Sequence, residues 1–110
     1  MKTTLKGLLC LALLSGVPAW SADTYLGGRI MNITFVEAEV YIALDTGVPT
    51  NCTGTPFGWM VIPASAKAAQ AFVIGLRLRG DLSETVVTVY TSGRQGGTGY
   101  CQIYQLDPAD

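Results

Sequence analysis

The placement of three cysteines constrains this chain more than any other feature of its 110 residues. Cys10 falls in an amino-terminal segment with positive charge at Met1, Lys2 and Lys6, an apolar run from Leu8 to Leu14, and small residues at Ala19 and Ser21 around Trp20. That three-part layout is the layout of a secretory leader. Residues 1–21 are therefore expected to act as a Sec-type bacterial signal peptide, cut after Ser21 or Ala19. Cys52 and Cys101 then remain as an even pair in an exported chain, and oxidising compartments join such pairs. A bond between them closes a loop of roughly 50 residues and contributes about 4 kcal/mol if chain entropy alone sets its effect. The expected location is periplasmic or secreted.

Membrane attachment is not expected after cleavage. The leader's apolar run is shorter than the ~20 residues that span a bilayer, and nothing after it is comparably hydrophobic. Lipidation of Cys10 calls for a small residue just before it, whereas Leu8 and Leu9 stand there. The leader also inflates the 49% hydrophobic content of the whole chain.

Residues 22–110 suffice for a single domain of about 90 residues with a modest core, the size at which a cross-link helps most. Lys2 and Lys6 leave with the leader, so five basic residues face eight acidic ones and the mature net charge is −3. Nucleic-acid binders concentrate basic charge on one face. No nucleic-acid partner is expected here.

Tyr25 to Leu44 is rich in β-branched and aromatic residues and lacks proline. Val40, Ile42 and Leu44 alternate with Glu39, Tyr41 and Ala43, the period of a half-buried strand. The segment is too long for one strand, so a reversal near Phe35-Val36-Glu37 is expected to divide it in two. Met31, Ile33 and Phe35 would then form the apolar face of the first strand, with a bulge or sharp coil at Gly27-Gly28. Asp45 to Pro56 carries the turn residues Gly47, Pro49, Asn51, Gly54 and Pro56 and reads as a loop around Cys52.

Phe57 to Ile62 gives a third strand, stopped by Pro63. Ala66, Ala69, Phe72, Val73 and Leu76 recur at three and four residues, the stripe of a helix expected over Ser65–Leu78 with Ser65 as N-cap and Gly80-Asp81 as its stop. Thr85 to Tyr90 has the content of a fourth strand. A glycine-rich turn over Ser92–Gly99 leads to a fifth strand, Tyr100–Leu106, and Asp107 to Asp110 reads as a fraying tail. The fold class is mainly β with one α-helix, in the order β-β-β-α-β-β. Five strands with a helix between the third and fourth fit a small OB-fold-like barrel whose helix plugs one end. An open five-stranded sheet with the helix on one face has the same order.

The run Phe57-Gly58-Trp59-Met60-Val61-Ile62-Pro63, the alanine-rich stretch Ala64 to Ala71, and Thr85-Val86-Val87-Thr88-Val89-Tyr90 resemble a group of small exported bacterial proteins. That group is similar in layout to the B subunits of AB5 toxins of the subtilase-cytotoxin and pertussis-like kind. The resemblance implies an OB-fold domain, recognition of host glycans, and a homo-oligomer in the form of a pentamer-like ring. The stretch before the helix is shorter than in those B subunits, and their sugar-binding motif has no match here, so no glycan site is carried over.

Catalysis finds few instruments in the sequence. There is no histidine, the commonest general base and metal ligand. Cys52 and Cys101 are expected to be joined, which removes a thiol nucleophile, and Lys67, the one lysine left after cleavage, falls on the polar helix face. Glu37 and Glu39 point the same way on a strand and read as solubilising charge. Asp45, Asp81 and Glu84 show no calcium-loop spacing. No catalytic residue, metal site or cofactor is expected.

Aromatic residues are the better candidates for a binding surface, because their faces are apolar and their edges polar. Trp59 fits a core position or a surface one. Tyr41 shares the outer face with Glu39, and Tyr104, Tyr90 and Tyr100 are further candidates. Arg94 stands in the glycine-rich turn, where its guanidinium can hydrogen-bond a ligand in bidentate fashion or serve only as a solubilising charge. The candidate binding residues are thus Tyr41, Trp59, Arg94 and Tyr104.

These features point to a non-catalytic exported module whose partner is a glycan or a protein. An envelope structural or stress protein, or an inhibitor of a secreted enzyme, is the competing class. Expression of the full chain in a bacterium, followed by intact-mass analysis of the periplasmic fraction, should find a protein beginning at Trp20 or Ala22 and lacking two thiol hydrogens. A retained leader or two free thiols would contradict this reading.

Overall fold

The alternation Val40-Ile42-Leu44 seeds the sheet. In the computed structural model, which describes residues 24–108, these three side chains are buried while Glu39 and Tyr41 remain partly exposed. The predicted leader, with Cys10, lies outside the described residues. Five strands form: β1 (Tyr25–Val36), β2 (Glu39–Leu44), β3 (Met60–Ile62), β4 (Val86–Arg94) and β5 (Cys101–Pro108), with helix α1 (Lys67–Arg79) between β3 and β4. Short 3-10 turns occupy Thr50–Cys52, Pro56–Gly58 and Gln95–Gly97.

The sheet closes on itself in the order β1-β2-β3-β5-β4, and β4 returns to β1. All pairings are antiparallel except β3 with β5. An open sheet is therefore not what forms. Inside the ring, Ile30, Ile42, Met60, Ile62, Val87, Val89 and Ile103 make one apolar cluster. Helix α1 adds Ala69, Val73 and Leu76 to it, the spacing of a single helical face. The helix stops as its sequence dictates: Gly80 takes φ +77, its N–H donates to the Arg77 carbonyl, and Asp81 N–H donates to that of Leu76. This is the Schellman closure that glycine permits without steric cost.

Several boundaries differ from the sequence reading. The reversal falls at Glu37-Ala38, and its first residue adopts φ +56. The bulge lies at Met31, not at Gly27-Gly28: Ile30 opposes Leu44 and Asn32 opposes Ala43, leaving Met31 without a partner. The extra residue reverses the phase of the strand. Ile30, before the bulge, becomes the core residue in place of Met31, which is 62% exposed; Ile33 still packs against the core as expected, and Phe35 is 53% exposed. Phe35 is opposite the buried Val40, but β1 beyond Arg29 pairs with β2 alone and has lost the cover of β4.

Strand β3 starts at Met60, because Pro56–Gly58 forms a turn in which Phe57 takes φ +55. Ser65 does not cap the helix. Ala66 holds the N-cap position with no side-chain bond, and its N–H donates back to the Pro63 carbonyl, so the chain turns before the helix begins. Strand β4 runs on to Arg94, through part of the predicted glycine turn, because two register shifts leave out Tyr104 of β5 and Ser92 of β4, and the left-handed Gly93 still pairs with Gln102. Asp107 and Pro108 continue β5 opposite Thr88 and Val87 instead of fraying.

Gly28 marks a close approach. Thr46 Oγ1 donates to the Gly27 carbonyl, and Asp45 Oδ1 accepts the Arg29 N–H, each at 2.8 Å. A Cβ on Gly28 would collide with both of those oxygens. Gly75, within α1, has open space where a Cβ would go. Gly28→Ala is accordingly expected to destabilise the protein by about 1–3 kcal/mol through overpacking. Gly75→Ala should stabilise it by about 0.5–1 kcal/mol through helix propensity. Chemical denaturation of the two variants checks the opposite signs.

Candidate functional site

Alternation places three aromatic residues on the outer wall. Tyr41 stands between the buried Val40 and Ile42, Trp59 precedes the buried Met60, and Tyr100 precedes the buried Cys101. Tyr41 is directed away from the core because neighbouring strand residues face opposite ways, and Trp59 and Tyr100, one residue ahead of β3 and β5, line the same outer groove. With Thr34 and Val36 they line a groove of about 330 Å³. Thr34 is the cross-strand partner of Tyr41, and Val36 that of Glu39. The Tyr41 and Tyr100 rings meet edge to face, with centroids 5.1 Å apart and planes at 84°, a favourable arrangement of aromatic quadrupoles.

Hydrogen bonds fix the two rings that come from loops. The hydroxyl of Thr55, a nearly buried residue, donates to the Trp59 carbonyl at 2.7 Å and accepts the Cys101 N–H at 3.0 Å. Trp59 N–H donates to the Pro56 carbonyl. The Cys52–Cys101 disulfide, predicted from cysteine counting, joins this loop to the start of β5 with its Cα atoms 5.2 Å apart. Both cysteines are fully buried. Asn51 adds a second tie: its amide donates to the Thr91 carbonyl, and the Thr91 hydroxyl donates to its Oδ1 at 2.7 Å.

Of the four predicted binding residues, the structure brings Tyr41 and Trp59 together. Trp59 belongs to the groove wall and not to the core cluster. Arg94 is turned inward on its own loop, where Nε and Nη2 donate to the carbonyls of Gly99 and Thr98 at 2.8 and 2.6 Å. It holds the glycine-rich turn that delivers Tyr100, and it does not line the groove. Tyr104 is exposed at a register shift of β5 and also stands outside the groove. Tyr100, Thr34 and Val36 enter instead. The latter two follow from the hairpin register, which sequence alternation fixes only once the turn is located.

The groove has an acidic polar edge. Glu39, read from sequence as solubilising charge, accepts a hydrogen bond from the Tyr41 hydroxyl at 3.1 Å. Glu37 sits in the adjoining turn. A second concavity, of about 400 Å³, lies between the β1 bend and the end of α1, bordered by Met31, Asn32, Arg77 and Ser83. Among the described residues, no three His, Cys, Asp or Glu side chains are grouped to hold a metal ion. No helix there is long and apolar enough to cross a membrane. The chain matches no protein-family model, and no curated protein or solved structure matches it.

Partial burial, the hydrogen bond to Glu39 and the nearby negative charge, in that order, raise the Tyr41 phenol above its ordinary 10.0. The folded protein thus keeps this proton where the unfolded chain has already released it. The sign follows: the group is neutral to stability below about pH 10, and stability falls as the pH climbs through the ordinary tyrosine range. The difference in tyrosinate absorbance between the wild type and Tyr41→Phe should titrate with a midpoint above 10, and Glu39→Gln should lower that midpoint. An unchanged midpoint in Glu39→Gln would contradict the assigned coupling.

Proposed function

We propose that this chain is a non-catalytic exported binding module of the OB type, and that it recognises a glycan through the Tyr41–Trp59–Tyr100 groove. The ring order β1-β2-β3-β5-β4, with a parallel β3–β5 seam and a helix between β3 and β4, supports the OB reading. The observation that carries the functional reading is the gathering of three outward aromatic rings beside a carboxylate and hydroxyls. Sugars offer apolar C–H faces that stack on such rings and hydroxyls that need polar partners at the rim. The absence of histidine and the use of both Cys52 and Cys101 in a disulfide leave the chain few groups for acid-base or nucleophilic chemistry.

A protein partner is the second reading, and exposed apolar side chains favour it. Phe57 is 90% exposed and Leu78 81%, with Met31 and Phe35 also open to solvent. Large apolar side chains left on a surface commonly mark contacts with protein. This reading covers an envelope structural or stress protein, an inhibitor of a secreted enzyme, and the ring-shaped homo-oligomer implied by the resemblance to toxin B subunits.

Trp20 falls in the leader, so protein beginning at Ala22 has Trp59 as its single tryptophan. A glycan array on that oxidised protein, followed by titration of Trp59 fluorescence with each hit, tests the proposal. Binding should appear, with Tyr41→Ala weakening it at least tenfold, about 1.4 kcal/mol. No binding across neutral and acidic glycans would overturn the glycan reading and leave the protein partner, for which light scattering reports self-association.

A further inference from the structure

We infer that the groove selects neutral sugars and turns acidic ones away, and that Glu39 is the residue that sets this selection. The inference rests on the glycan reading above and adds the class of sugar. Its basis is the negative charge and hydrogen bonding of the Glu39–Tyr41 rim; the Thr34 and Tyr100 hydroxyls and the Trp59 indole N–H can donate to either class of sugar and do not separate them. The floor consists of the rings of Tyr41, Trp59 and Tyr100, which take the apolar face of a sugar whatever its charge.

The rim discriminates. The Tyr41 hydroxyl spends its proton on Glu39, so toward a ligand it is left as an acceptor. A carboxylate offers about four lone-pair sites, and Glu39 has capacity beyond the one taken by Tyr41. The Glu39–Tyr41 pair therefore accepts hydrogen bonds and has none to donate. Sugar hydroxyls can supply the donors it needs. A carboxylate or sulfate on a sugar cannot, since it too only accepts.

Charge adds to the mismatch. The side-chain carboxylates that act on the Tyr41 hydroxyl are Glu39 and Glu37, and no basic residue lines the groove. Arg94, on the turn leading to Tyr100, directs two donors into the carbonyls of Thr98 and Gly99. An anionic ligand would thus lose its hydration beside like charge with no cation to receive it, which is the usual way a site rejects an unwanted partner. The groove's 330 Å³ lies at the small end of ligand sites, roughly 300–1,000 Å³, so the ligand's charge sits close to the rim.

Matched glycans provide the test. Oxidised protein beginning at Ala22 is titrated with pairs that share one core, such as lactose and sialyllactose, and with the neutral and sulfated members of the same array, while Trp59 fluorescence is followed at low and high salt. Neutral members should bind at least tenfold more tightly than their acidic counterparts. High salt should narrow that gap, as screening weakens repulsion between partly exposed charges. Glu39→Gln keeps the side chain's shape and removes its charge, and it should narrow the gap several-fold with an unchanged melting transition.

Glu37→Gln supplies a second variant should Glu39→Gln fail to fold, and it should narrow the gap to a lesser degree. Equal or tighter binding of the acidic members would overturn the selection while leaving glycan binding intact. A gap unaltered by either substitution would overturn the role given to the carboxylates. Silence from every member of every pair would overturn the glycan reading and this inference with it.

Discussion

The seam between β3 and β5 is the point on which the closed sheet depends. Strand β3 has three residues, and it meets β5 at only two positions, Met60 opposite Cys101 and Val61 opposite Gln102. Parallel pairing is slightly less stable per residue than antiparallel, so so short a parallel ladder is the weakest link in the ring. The disulfide falls at this link. Cys101 is itself one of the paired residues, and its bond to Cys52 fastens the loop leading to β3 onto β5. Thr55 reinforces the same junction by bonding to Cys101 N–H and to the Trp59 carbonyl. A covalent bond and a bridging hydroxyl thus supplement backbone ladder where little is available.

The same junction organises the candidate site. Trp59 immediately precedes β3 and Tyr100 immediately precedes β5, so the two rings stand on either side of the fastened seam. Tyr41, on the neighbouring strand β2, is paired with Val61. The floor of the groove is therefore the outer surface of the elements that the disulfide holds together. Rigidity here lowers the entropy cost of ordering side chains around a ligand. A recognition surface built on strands and a cross-linked loop also keeps its ring positions better than one built on a free loop.

Much of this was legible in the residues, and the failures have identifiable physical causes. The five strands, the helix with its buried stripe at Ala69, Val73 and Leu76, and the disulfide follow from periodicity, turn chemistry and cysteine parity. The phase of β1 follows only in part. Ile33 and Phe35 stand opposite the inward Ile42 and Val40, but the bulge puts Ile30 in place of Met31 on that face, and no glycine marks its place. Ser65 has the chemistry of a helix cap, yet the turn from Pro63 to Ala66 forms first. Arg94 was recognisable as a cation in a turn, while its true partners, the carbonyls of Thr98 and Gly99, exist only after the glycine-rich turn has folded over it. Tyr100 could be identified as an aromatic residue, but its meeting with Tyr41 depends on closure of the ring.

Two backbone positions near the groove carry strain of the same kind. Glu37 and Phe57 are the described non-glycine residues with positive φ, at +56° and +55°. The left-handed region costs an ordinary L-residue roughly 1–2 kcal/mol, and glycine would remove that cost. Glu37 adjoins Val36 of the groove wall, and Phe57 lies two residues before Trp59. Neither side chain recovers the cost by burial, since both are exposed. Their shared effect is to reverse the chain at the groove's margins, one directing β1 into β2 and the other ending the turn from which Trp59 emerges. Strained backbone is known to cluster at ligand clamps and switch regions, and here both strained residues border the groove. At Glu37 the side chain held there is a carboxylate, the same group that Glu39 brings to the rim.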